Sequence, residues 1–261
     1  MKAFLCRNTW KAAPPFIGAL LLALGLPARA TSNFNLGAGA GGGAAGEYSW
    51  NGAAKVLTIN DGADITLSGD MADGTRIEVA AHAVATVTLV NVSLDLSGRS
   101  GVRQSPLQLN AGAKVTLKIM ATNILTAGDC DAAAAPAYCA GIAVPASAAL
   151  SIHDAGMGEL EATGGQSGAG IGGGLDHTAN PAGVGTIAIH GGKVAATGGS
   201  NGSGIGGGNG SAGGNITITG GKVTATGGAG AVAGIGGGSR GARGALVIRG
   251  GAVTSSPPVP E

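Results

Sequence analysis

The side chains able to do hydrolytic chemistry are few: Asp95, Asp154, Glu159 and Glu161, with His153 and Lys118 nearby in sequence. Two carboxylates can act as general acid and base on a glycosidic bond, and Lys or Arg can serve as base in elimination from an acidic sugar. Glu159 and Glu161 stand two apart in an alternating stretch, which puts both on one face of a strand. Glu161, however, aligns with Ala195 and Thr224 in a repeat set out below, so an outward surface column accounts for it. These acids are read as scattered surface charge, and no catalytic residue is assigned.

Other chemistries leave weaker traces. His82, His153, His177 and His190 lack metal-ligand spacing, and His190 aligns with Thr219 and Arg249, which suits an outward position. Asp61, Asp64, Asp70, Asp73 and Glu78 are denser, but they miss the ligand spacing of a calcium loop and read as solvated turns. Calcium-binding G-G-x-G-x-D repeats are excluded, because Glu261 is the only acid after Asp176. Gly202 to Gly207 satisfies G-x-G-x-x-G, but no helix pattern follows and the block recurs, so no dinucleotide site is assigned. No cofactor and no metal are expected. Sugar recognition usually employs aromatic platforms, yet beyond residue 30 only Phe34, Tyr48, Trp50 and Tyr138 are aromatic. Tyr48 and Trp50 are expected to cap an open end of the fold.

Composition narrows the elements that could position such residues. Gly makes up 53 of 261 residues, about three times ordinary usage, while 44% of the chain is hydrophobic. Each interior helical Gly costs about 1 kcal/mol, which disfavours helices. No strict G-X-Y period is present, which excludes collagen, and the apolar content with low net charge excludes simple disorder.

Residues 1–30 read as a secretory signal: Lys2, Arg7 and Lys11, an apolar stretch at 16–26, then Ala28-Arg29-Ala30. Removing four basic residues would leave 11 against 14 acids, a net −3 with no basic run, so no nucleic-acid footprint is expected. No second long apolar run predicts a membrane span in the mature chain. Cys6 leaves with the signal, and Cys130 and Cys139 read as one disulfide closing a small loop in an exported chain. Residues 31–46 read as a Gly/Ala-rich flexible leader, and 257–261 as a Pro-rich tail.

The C-terminal third repeats. GGQSGAGIGGG at 164–174 recurs as GGSNGSGIGGG at 198–208 and again at 227–238 around Ile235. Between these blocks stand alternating stretches whose counterparts Ile187, Ile216 and Leu246 are 29 and 30 residues apart. Period-two alternation favours strands, and a fixed period near 30 belongs to a solenoid. Leu160, Val194, Val223 and Val253 are expected to point inward, while Thr163, Thr197, Thr226 and Ser256 point outward. Ile65-Thr66-Leu67, Val87-Thr88-Leu89, Val115-Thr116-Leu117 and Leu150-Ser151-Ile152 continue the alternation upstream at spacings of 22, 28 and 35. The expected fold is all-β, a single-stranded parallel β-helix over 47–256 with irregular rungs at 47–157 and regular Gly-rich rungs at 158–256. About seven rungs of three short strands would stack roughly 30–35 Å high at ~4.8 Å per rung.

The units ITITGGKVTATGG and GSGIGGGNGSAGG resemble the Gly-rich repeats of bacterial secreted surface proteins often labelled carbohydrate-binding domain-containing. SLDLSG at 93–98, SPLQLNAGAKVTLKI at 105–119 and AGIAVPASAALSI at 140–152 are similar to the lead-in of those proteins. The resemblance covers about 85–254 and implies a β-helix outside the cell, at its surface or in the periplasm, with polysaccharide or cell-surface glycan as partner. It carries over no catalytic residue. The expected function is therefore a non-catalytic, polysaccharide-binding or adhesive module using the outward column Thr163, Thr197 and Thr226. The alternative is a polysaccharide lyase or glycoside hydrolase of pectate-lyase-like type. Ice binding is a remote third reading, since Thr217-x-Thr219 and Thr224-x-Thr226 give way to Ala188, His190, Val247 and Arg249 in neighbouring repeats.

Overall fold

The computed structural model describes residues 31–71, 74–101, 105–130, 138–175, 183–230 and 233–256. The signal-like segment at 1–30 and the tail at 257–261 lie outside them, as do Asp73, His177 and the tip of the Cys130–Cys139 loop. Every regular element among the described residues is a strand. No helix there is long and apolar enough to cross a membrane.

The main body is a curled, chiefly parallel sheet of 14 strands, accompanied by an eight-stranded sheet and a two-stranded one. In the large sheet Thr186–Ile189 pairs with Asn215–Ile218, which pairs with Ala245–Ile248. Beside this series Lys193–Thr197 pairs with Lys222–Thr226 and then with Ala252–Ser256. Ile171–Gly172, Ile205–Gly206 and Ile235–Gly236 repeat the arrangement in the second sheet. Each strand thus pairs with its counterpart one repeat later, because a 29- or 30-residue period returns the same side chain to the same place.

Alternation decides which side chains are buried. Ile65, Val87, Leu117, Ile152, Ile189 and Ile218 follow one another in register and are fully buried. Ile142, Ile171, Ile205 and Ile235 form a second buried column. Removing each such side chain from water contributes about 1.5–3 kcal/mol. Ile248 continues the first column but is 48% exposed, since its strand is the last described in the series.

Upstream, Ile65 opposes Val87 and Val115 opposes Leu150 as the spacings suggested, and one of the three alignments differs. Val87 pairs with Leu117 and Ala85 with Val115, a slip of two residues from the Val87–Val115 match. A slip of two preserves the period-two faces, so every buried residue remains buried. The stretch at 31–46, expected as a patternless leader, contains strands Ser32–Asn35 and Ala40–Gly42. Ser32–Asn35 pairs in parallel with the strand Asp64–Met71 and buries Phe34, with Leu36 buried just beyond it. Phe34 packs at 5.4 Å ring to ring against both Tyr48 and Trp50. These aromatics lie on antiparallel pairings at the N-terminal end of the stack, where Tyr48–Asn51 returns along Val56–Ile59.

The corner between the two long strands of each repeat requires a left-handed residue. Gly192, Gly221 and Gly251 hold it in the regular repeats, with φ of 84–85°. In the irregular part Asn91, Ala121 and Met157 adopt φ of 51–56° despite carrying side chains. Asn123 compensates for two of these corners. Fully buried where the next strand has Leu160, it accepts a hydrogen bond from the Val92 N–H at 3.0 Å through Oδ1. Its Nδ2 donates to the Met120 and Glu159 carbonyls, both at 3.1 Å.

Candidate functional site

The outward face of the second strand column carries the expected threonines. Asp95, Thr126, Thr163, Thr197, Thr226 and Ser256 stand in direct register on six successive strands. Their inward neighbours Leu125, Ala162, Ala196 and Ala225 are buried, which fixes the hydroxyl-bearing positions outward. Parallel pairing spaces them by about 4.8 Å, giving a flat row able to donate and accept hydrogen bonds.

Thr126 and Thr163 also line an open groove of about 550 Å³, together with Ser97, Asp129, Gln166 and Ser200. Across its floor Asp129 Oδ1 accepts a hydrogen bond from the Gln166 N–H at 2.6 Å. Cys130, next to Asp129, is disulfide-bonded to Cys139 with their Cα atoms 5.4 Å apart, as the spacing suggested. The bridge is buried with Leu175 in a small cluster beside the main core. The Cys139 carbonyl accepts from the Gly165 N–H at 2.9 Å, so the bridge supports the groove wall from behind. Thr197 and Thr226 continue the column away from the groove.

The acids weighed for catalysis do not converge. Asp95 Oδ1 accepts from the Ser97 N–H at 2.7 Å within a turn. Asp154 sits at a corner, where one oxygen accepts from the Gly156 and Gly158 N–H groups at 2.9 and 2.8 Å. Those two donors hold its carboxyl below the usual Asp value, the opposite of what a general acid needs. Glu159 forms an ion pair with Lys193 one strand on, and this hydrogen bond and charge raise the Lys193 ammonium above its ordinary value. Glu161 lies on the same face as Asp95 but two strands and two residues away, about 12 Å at ordinary sheet spacing. His153 and Lys118 belong to the neighbouring column instead, one strand apart in register. Among the described residues no group of three His, Cys, Asp or Glu could hold a metal ion.

Two features had not been anticipated from sequence. The imidazoles of His153 and His190 stack at 4.6 Å between ring centroids, tilted by 23°. Ser151 Oγ lies 2.8 Å from His153 Nε2, and Thr219 Oγ1 lies 2.8 Å from His190 Nδ1. Partial burial, His190 and Lys118 together lower the His153 value below that of an ordinary imidazole. The other feature is the groove itself, whose signal was the pair of Gly doublets at 164–165 and 198–199. Having no side chains, these let neighbouring backbone approach closely, since a Cβ on any of them would lie 1.8–2.3 Å from a backbone carbonyl oxygen. No protein-family model matches the chain, and no curated protein or solved structure matches it.

Proposed function

We propose that the chain is an exported parallel β-helix that binds polysaccharide through its outward threonine column, without catalysis. The observation that supports this most is the register of Thr126, Thr163, Thr197 and Thr226 beside the open groove. A row of hydroxyls on a stiff ladder, with a polar trough next to it, suits an extended chain of sugar hydroxyls. The stacked strands leave the row little freedom to lose on binding, which lowers the entropic cost of contact. Export is supported by the signal-like segment at 1–30 and by the disulfide, which persists in oxidising compartments. Asp95 and Asp154 are held in turns, Glu159 is held in an ion pair, and the acids do not converge, which favours retention of a glycan over its cleavage.

The test is binding of the chain from residue 31 onward to a panel of neutral and acidic polysaccharides, with release of reducing and unsaturated ends followed in parallel. The expected result is retention of at least one polysaccharide without product. The Thr163→Val, Thr197→Val and Thr226→Val triple substitution should weaken retention at least tenfold while leaving the melting curve in place. Product release would overturn the non-catalytic reading and direct attention to Asp95, Asp154, Glu159 and Glu161. Absence of binding across the panel would overturn the polysaccharide reading altogether.

A further inference from the structure

The outward face of the first strand column differs in chemistry from the threonine face. Thr88, Lys118 and His153 follow one another in register. The series then continues through one recurring backbone bond: His190 N–H to the Ile152 carbonyl, Thr219 N–H to the Ile189 carbonyl, and Arg249 N–H to the Ile218 carbonyl, at 2.8–2.9 Å. Lys118, His153, His190, Thr219 and Arg249 therefore occupy successive strands, a row of about 19 Å. Lys118, His190 and Arg249 are exposed and His153 is half-buried.

We propose that Lys118, His153, His190 and Arg249 form an acid-responsive site for the anionic substituents of an acidic polysaccharide. The inference rests on the polysaccharide-binding reading and names a substrate class and a control for it on a separate face. The charges facing the imidazoles are specific. On the strand before His153 stands Lys118, and on the strand after it His190, followed by neutral Thr219 and then Arg249. Ser151, two residues back on its own strand, is neutral. The nearest carboxylate in sequence, Asp154, is turned into the corner by the Gly156 and Gly158 N–H groups. The row thus carries Lys118 and Arg249 at its ends and two imidazoles in its middle.

Protonation changes the middle. The stacked rings resist carrying two charges at 4.6 Å, consistent with the lowered His153 value. An anion lying across the row offsets that repulsion, so binding and proton uptake reinforce one another. The sign follows directly. A depressed imidazole value favours the neutral folded form, so stability from His153 is present above the ordinary value near 6.5 and declines as pH falls below it. A bound anion reverses this, and affinity rises over the same window. Carboxylate and sulfate groups remain ionised at pH 5.

Binding of the chain from residue 31 onward to polygalacturonate, dextran sulfate and unmodified dextran, each at pH 7.5 and 5.0, tests the proposal. The expected result is at least a tenfold rise in affinity for one or both anionic probes at pH 5.0, with dextran unaffected by pH. A preference for polygalacturonate would identify carboxylate as the group recognised, and a preference for dextran sulfate would identify sulfate. His153→Gln with His190→Gln should abolish the rise. Lys118→Gln should weaken binding at both pH values without removing the pH dependence. The Thr163→Val, Thr197→Val and Thr226→Val triple variant should retain the rise. Equal affinity at the two pH values, or a rise that survives the double His substitution, would overturn this inference. Retention of dextran through the threonine face would still leave the general reading standing. Loss of the rise in the threonine variant would show that both signals come from one face and would also overturn it.

Discussion

Gly206→Ala is expected to destabilise the fold by about 3–4 kcal/mol, lowering the thermal midpoint by about 6–16 °C for a chain of this length. Gly206 has φ of 128°, a region essentially closed to residues bearing a Cβ. A Cβ built there would lie 2.0 Å from the Gly236 carbonyl oxygen of the next repeat. Backbone cannot swing aside as a flexible side chain could, so the strand Ile205–Gly206 would have to separate from Ile235–Gly236. Gly172 meets the Gly206 oxygen in the same way, also at 2.0 Å, whereas Gly236, with no described counterpart stacked beyond it, meets nothing nearer than 3.5 Å, so the obstruction belongs to the stacking. Gly42→Ala is the matched control. That residue lies in an exposed strand, its φ is not positive, and its Cβ would meet nothing nearer than 3.9 Å. Its thermal melt should change within experimental error. Circular dichroism melts of the two variants beside the parent measure both effects.

Asn123→Leu is expected to cost about 2–3 kcal/mol, although Leu160 occupies the same position one strand later. The substitution adds apolar volume to an apolar stack, which on its own favours folding. It also strips the Val92 N–H of its acceptor and the Met120 and Glu159 carbonyls of their donor. Each buried polar group left without a partner costs about 1–3 kcal/mol, so the sum exceeds the gain from one leucine. Asn123→Asp keeps the acceptor but buries a carboxylate, and burial raises its protonation value. It should be more damaging at pH 7 than at pH 5, because the neutral acid is the form the interior tolerates. Urea unfolding at both pH values checks the magnitude and the sign.

The contrast between these two sites shows how much the sequence discloses. In the regular repeats the 29- and 30-residue spacings of Ile187, Ile216 and Leu246 state the pairing outright, and those residues are found opposite one another. The threonine column at 163, 197 and 226 was legible for the same reason. Upstream, period two identifies the faces but not the partner, because any even slip buries the same side chains. Val87 accordingly opposes Leu117 and not Val115. Phe34 and Leu36 lie in a stretch dominated by Gly and Ala, too short for alternation to be visible, yet both are buried at the end of the core. Asn123 interrupts an otherwise apolar inward series, and that interruption was its only signal. The contacts at Asp129 and Gln166, 37 residues apart, and the stacking of His153 on His190 arise from register in a stretch whose spacing is irregular.

The central claim is that each repeat lies directly upon the one before, carrying one outward column from Asp95 to Ser256. Nitroxide labels at Asp95→Cys and Ser256→Cys, on exposed positions at the two ends of that column, measure it by electron–electron double resonance. To keep the native bridge out of the labelling reaction, the chain is oxidised beforehand. Five strand steps predict a narrow distribution of label-to-label distances centred at about 24 Å, allowing for the label arms. A broad distribution, or a centre beyond about 40 Å, would contradict direct stacking and the continuous threonine face built upon it.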